Sequence, residues 1–109
     1  MLQEVVDEHV ERIRSTLGKS YDVTLGDRSS PYFNVILVTR KVGGLKILDK
    51  NVKKFPTSIM GRHLVQVVCE LYGRKFKFYT SHLESMKDHS LERTKQLDKV
   101  FCLLLQNEL

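Results

Sequence analysis

Apolar residues recur at helical spacing near both ends of the chain and in strand-like patterns between them. Val6, Val10, Ile13 and Leu17 share one side of a helix and Gly18 can cap its C-terminus, so the spacing predicts a helix over residues 6–17. Leu2-Gln3-Glu4-Val5 reads as the end of a preceding strand, which puts Glu4 beside a strand-to-helix junction, a common place for site residues in α/β sheets. A short strand is expected at 21–25, followed by the loop Gly26-Asp27-Arg28-Ser29-Ser30-Pro31. Residues 33–38, apolar on both faces, are expected to form a central strand. Gly43-Gly44, between it and residues 45–48, signals a hairpin, and Pro56 closes a basic segment.

A second hairpin is expected from residues 63–71 and 75–80 around Tyr72-Gly73-Arg74. Val65, Val67, Cys69 and Leu71 would share one face, with Phe76 and Phe78 turned inward. After Ser85 the period becomes helical again, with Leu91, Leu97, Phe101, Leu104 and Leu105 on the apolar side and Ser85 or Asp88 as cap. These elements predict an α+β domain: one mainly antiparallel sheet with two helices on its outer face. Strands apolar on both sides need cover on both, and two helices cover one, so a missing half-domain or a partner chain is expected on the open face.

Composition narrows the class. The 109 residues, 41% hydrophobic and 28% charged, suit one globular domain. The longest apolar run, residues 100–105, is far short of the roughly 20 residues of a membrane span, so no membrane association is expected. Glu4, Asp7, Glu8 and Glu11 crowd the start, unlike a secretory signal, which points to an intracellular protein. Cys69 and Cys102 lie in apolar surroundings and are expected to be reduced and buried. Residues 40–80 carry ten basic and two acidic side chains, whereas the flanking segments are slightly acidic. Such a middle could attract phosphates, or simply be a solvated strand surface in which lysines discourage edge pairing.

Two segments go beyond composition. Thr80-Ser81-His82-Leu83-Glu84-Ser85, followed by Glu92-Arg93 and Gln96-Leu97, resembles a strand-end motif and helix of the tyrosyl-DNA phosphodiesterase 2 family, in the endonuclease/exonuclease/phosphatase superfamily. Leu2-Gln3-Glu4-Val5 is similar to its metal-site motif; Tyr32-Phe33-Asn34-Val35-Ile36-Leu37, and Phe55-Pro56-Thr57-Ser58 with Met60 and Arg62, resemble its intervening strands and DNA-facing loop. The resemblance implies a Mg2+-dependent phosphodiesterase, with Mn2+ as an alternative ion, that cuts the bond between a trapped topoisomerase tyrosine and a DNA 5′ phosphate. It implies two sheets packed face to face with helices outside, residues 1–109 forming a partial domain equal to one sheet and its helices, and a nuclear or cytoplasmic location.

Residue by residue, the resemblance implies that Glu4 is the metal ligand, His82 contacts the scissile phosphate, Ser85 donates to it, and Tyr32 and Arg62 line the DNA groove. Each has a plainer reading: Glu4 as an acid near a helix N-terminus, His82 as a hydrogen-bonded core histidine, Ser85 as a cap, Tyr32 and Arg62 as surface residues. The family's Asn, G-D-x-N and S-D-H motifs do not occur; Gly26-Asp27-Arg28-Ser29 and Asp88-His89 match them neither in residues nor in order. Without the water-activating Asp, the isolated chain is expected to be inactive. His82, His89 and Glu92 lack zinc-site spacing, and neither cysteine has the electropositive setting of a nucleophile. Two other readings stay open: a non-catalytic module binding nucleic acid or protein, and another superfamily branch such as an abasic-site endonuclease or a phosphatase.

Overall fold

The computed structural model describes residues 1–106. Its strands are β1 (Leu2–Val5), β2 (Tyr21–Leu25), β3 (Phe33–Thr39), β4 (Leu45–Lys54), β5 (His63–Leu71) and β6 (Arg74–Ser81); its helices are α1 (Val10–Leu17) and α2 (Ser90–Gln106). A 3-10 turn, Asp7–His9, occupies the first part of the expected helix over 6–17. No described helix is long and apolar enough to cross a membrane.

The strands form two three-stranded antiparallel sheets, β1-β3-β2 and β4-β5-β6, where one sheet was expected. Alternation along β3 explains the division. Phe33 and Val35 pack with Val5 and with Val10 of α1, whereas Ile36 packs with Val65, Val67 and Cys69 of β5. Each face of β3 thus buries its own apolar set, one under a helix and one under the other sheet. Asp22 of β2, opposite Val38 in the register, meets Lys50 of β4 at 2.6 Å, an ion pair from sheet to sheet. The Gly43-Gly44 hairpin is therefore a correction: the segment carries the chain from one sheet to the other, and β4 pairs with β5. So is the expectation of a single sheet whose facing sheet is absent, because this chain supplies strands to both.

The second hairpin forms as expected. Tyr72 and Gly73, with φ of 49° and 78°, make the two-residue turn that matches strand twist, and Leu71 pairs with Arg74. Phe76 and Phe78 lie opposite Cys69 and Val67, on the inner face as predicted, yet remain 42% and 41% exposed.

The outer layer also differs. α1 packs on the first sheet, but Leu91, Leu97, Phe101, Leu104 and Leu105 of α2 are exposed, and the buried residue of that helix is Gln96. Cys102 on α2 is exposed while Cys69 is buried, so only one cysteine fills a core. The chain enters α2 through a 3-10 turn, Lys87–His89, whose N-cap is Met86; neither Ser85 nor Asp88 caps it.

Phe33→Ala should lower the unfolding free energy by about 3–5 kcal/mol, and Phe101→Ala should change it by less than about 0.5 kcal/mol, in urea titrations of the 109-residue chain. A comparable loss for both would mean that the α2 face is covered.

Candidate functional site

The site lies where β1 and β3 of one sheet meet the start of β5 and the end of β6 of the other. Glu4 sits at an irregularity of β1, between the pairs Leu2–Val35 and Val5–Phe33, with φ of 55°. A non-glycine residue there costs roughly 1–2 kcal/mol, and such strain is typical of positions where a side chain is aimed for function. Gln3 donates from Nε2 to the Ser81 carbonyl at 3.1 Å, joining this kink to the end of β6.

His82 follows β6 directly. Its backbone N–H and that of Ser81 donate to the carboxamide oxygen of Asn34, at 3.0 and 3.2 Å in the orientation that satisfies the amide. Its Nδ1 lies 3.0 Å from the Leu83 carbonyl, which can only accept, so Nδ1 carries a proton. Nε2 then faces Glu4 Oε1 at 3.4 Å. A bare Nε2 and a carboxylate are both acceptors, so the gap suits a proton on Nε2, a water or a cation.

Glu4, Tyr32, Phe33, Asn34, Arg62, His63 and His82 line one narrow cleft. Arg62 extends it: Nη2 reaches Ser85 Oγ and Met60 Sδ, each at 3.5 Å, while its buried Nε has no partner among the described residues. Tyr32 stands at the rim, half exposed. Four of the residues singled out in the sequence, Glu4, Tyr32, Arg62 and His82, therefore line the cleft, and Ser85 stands beside it against Arg62. His63, by contrast, is structural: Nδ1 donates to the Gly61 carbonyl and Nε2 accepts from the Asp27 N–H, tying two loops beside the cleft.

A buried carboxylate holds this arrangement. Glu84, 1% exposed, accepts from Ser58 Oγ, from the N–H groups of Ile59 and Met60 at 3.3 and 3.2 Å, and from Gln96 Nε2 at 3.2 Å. Its own N–H donates to Gln96 Oε1 at 2.8 Å, and Arg93 donates to the carbonyls of Glu84 and Met86. Ser58 Oγ in turn accepts from the Arg62 N–H at 2.8 Å, and Glu92 accepts from Thr57 Oγ1. Burial pushes the Glu84 carboxyl up, but the Ser58 hydroxyl, the Gln96 amide and the two backbone donors outweigh it, leaving it below its ordinary value of 4.5.

No family model matches the chain. Tyrosyl-DNA phosphodiesterase 2 of Rattus norvegicus is 37% identical over 100 residues, which is 92% of this chain and 26% of the relative. The 5′-tyrosyl-DNA phosphodiesterase of Caenorhabditis briggsae is 33% identical over 102 residues, 94% of this chain and 27% of the relative. The crystal structure of D. rerio TDP2 humanized by 14 mutations superposes with a TM-score of 0.81 at 34% identity, over 91% of this chain and 39% of that one. The chain corresponds in sequence and structure to part of the tyrosyl-DNA phosphodiesterase 2 domain. It spans about a quarter of the length of the curated relatives it matches.

Three residues in or behind the cleft escaped sequence reasoning. Asn34 carried a signal, being a polar side chain in an otherwise apolar strand, and it is 2% exposed. Glu84 and Gln96 stood within the family-like motifs without a role; their pairing joins positions twelve apart, outside any single helical or strand period. Among the described residues no group of three or more His, Cys, Asp or Glu could hold a metal, which removes the His82, His89 and Glu92 set.

Two outcomes follow from the geometry. Glu4→Gly should leave stability unchanged or raise it by up to about 1 kcal/mol, because relief of the left-handed backbone offsets the lost side chain; a loss above about 1 kcal/mol in thermal unfolding would contradict the strain. Because the folded carboxyl of Glu84 titrates below its ordinary value, its contribution is complete above about pH 4.5 and disappears as pH falls through the folded value. Wild type should exceed Glu84→Gln by about 1–3 kcal/mol at pH 7 in urea titrations. At pH 3 the gap should shrink.

Proposed function

We propose that this chain forms part of a metal-dependent 5′-tyrosyl-DNA phosphodiesterase that removes topoisomerase adducts in DNA repair, in the nucleus, the cytoplasm or both. The observation that carries the reading is the convergence of Glu4, His82, Arg62 and Tyr32 on one cleft, with Ser85 beside it against the Arg62 guanidinium. The crystal structure of D. rerio TDP2 complexed with single strand DNA product, 35% identical with a TM-score of 0.79 over 91% of this chain and 38% of that one, supports DNA as the partner.

The chemistry of the donors is consistent with Mg2+. That ion takes one or two carboxylates and keeps its waters and substrate oxygens, so a single accessible Glu4 fits it, whereas the absence of a three-ligand cluster among the described residues does not suit zinc. Glu4 would hold the ion, with Mn2+ able to replace it, and the bound ion would polarise a phosphate oxygen. The residues of this chain do the remaining binding. Arg62 has Nη donors for phosphate oxygens, its guanidinium held beside Met60 Sδ and Ser85 Oγ. His82, fixed by Nδ1 on the Leu83 carbonyl, presents Nε2 to the same region and can donate to a phosphate oxygen when protonated. Ser85 Oγ supports the Arg62 guanidinium and adds a hydroxyl donor. Tyr32 offers a ring at the rim for a terminal base.

Among the described residues the cleft holds no carboxylate other than Glu4 to activate water, so the isolated chain binds without cleaving. The 109-residue protein should therefore bind a 5′-phosphorylated single-stranded oligonucleotide in a Mg2+-dependent way, lose about tenfold affinity on Arg62→Ala, and leave a 5′-tyrosyl oligonucleotide uncut. Ready turnover would overturn the inactivity. Binding that survives Glu4→Ala and chelation, and falls steeply with salt, would instead favour a non-catalytic module bound through the basic middle third.

A further inference from the structure

We infer that Glu84 is the positioning residue of the phosphate-binding arginine: its buried carboxylate clamps the loop over residues 55–62 so that Arg62 points into the cleft. The inference rests on the proposed function for its ligand, and on geometry of its own for the clamp. One Glu84 oxygen takes Ser58 Oγ and Gln96 Nε2, and the other takes the N–H groups of Ile59 and Met60. Ser58 Oγ passes the constraint on by accepting the Arg62 N–H. A second path runs through Met60, whose Sδ lies 3.5 Å from Arg62 Nη2 and 3.4 Å from Ser85 Oγ. The loop ends are pinned as well, by Phe55 N–H on the Arg62 carbonyl and by Ser30 Oγ on the Gly61 carbonyl.

Both oxygens of Glu84 are needed as acceptors, because all four groups facing them are donors in this arrangement. An amide of the same shape offers one acceptor and must aim its NH2 at either the Ser58 and Gln96 pair or the two backbone N–H groups. Glu84→Gln therefore releases one side of the clamp without creating a cavity. Glu84 touches neither substrate nor metal in this reading; it acts through Arg62.

The test uses the full 109-residue chain with two probes, a 5′-phosphorylated single-stranded oligonucleotide and its 5′-hydroxyl counterpart. Glu84→Gln should weaken binding of the phosphorylated probe by about tenfold, the weight of one charge-assisted contact, and leave the 5′-hydroxyl probe within about twofold. In an Arg62→Ala background the same substitution should have no further effect on the phosphorylated probe. Equal weakening of both probes, or full additivity with Arg62→Ala, would overturn the assignment. Amide hydrogen exchange supplies an independent readout: Ile59, Met60 and Arg62 should lose protection in Glu84→Gln while β5 retains it, and unchanged protection would overturn the clamp. Should Glu84→Gln not fold, Ser58→Ala cuts the same path at its next link and must reproduce both the probe selectivity and the loss of Arg62 protection. Failure of the unsubstituted chain to prefer the phosphorylated probe would count against the proposed function, and the exchange result would still decide the clamp.

Discussion

A carboxylate 1% exposed to solvent dictates much of what surrounds it. An ionised group removed from water needs donors at its lone pairs, and the cost of leaving it unmet exceeds the worth of most surface contacts. Glu84 meets that demand with groups from the loop over 55–62 and from α2, and its own backbone bonds to the same glutamine of α2. Three segments far apart in sequence are thereby held to one point. The helix is anchored to the rest of the chain by Gln96, Arg93 and Glu92, all polar, while its apolar side stays outside.

The division of β3 between two cores has an equally direct effect on the site. One face serves α1 and the other serves the second sheet, so the ends of strands from both sheets reach the same rim. β1 contributes Glu4, the entry to β3 contributes Tyr32 and Asn34, the entry to β5 contributes Arg62, and the exit of β6 contributes His82. Residues separated by up to 78 positions meet because two layers share an edge, as Gln3 and Ser81 do. The charged groups need no common element. They need only to terminate strands on the same side.

Much of this was legible in the sequence, and the gaps have physical causes. The alternation of 63–71 and 75–80 around Tyr72-Gly73 specified both strands and their turn, because a two-residue loop with left-handed residues fixes register locally. The apolar continuity of residues 33–38 correctly marked a strand covered on both sides. What covers each side is a long-range matter, so Gly43-Gly44 looked like a hairpin when it is a passage between layers. Likewise the apolar stripe of α2 implied a packed face, and period alone says nothing about whether a surface lies opposite. Cys102 was misjudged with it. The five candidate residues were singled out through motif resemblance, whereas Asn34 and Glu84, which hold backbone groups, leave no signature of fixed spacing.

Asn34 grips the backbone of Ser81 and His82, not their side chains. The seat occupied by the imidazole is thus built independently of whatever side chain sits in it. Replacing His82 would leave the strand exit in place, and the rim could be retuned in chemistry without being rebuilt in shape. A fold that separates the socket from its plug in this way leaves the side chain at position 82 free to change while the surrounding frame stays.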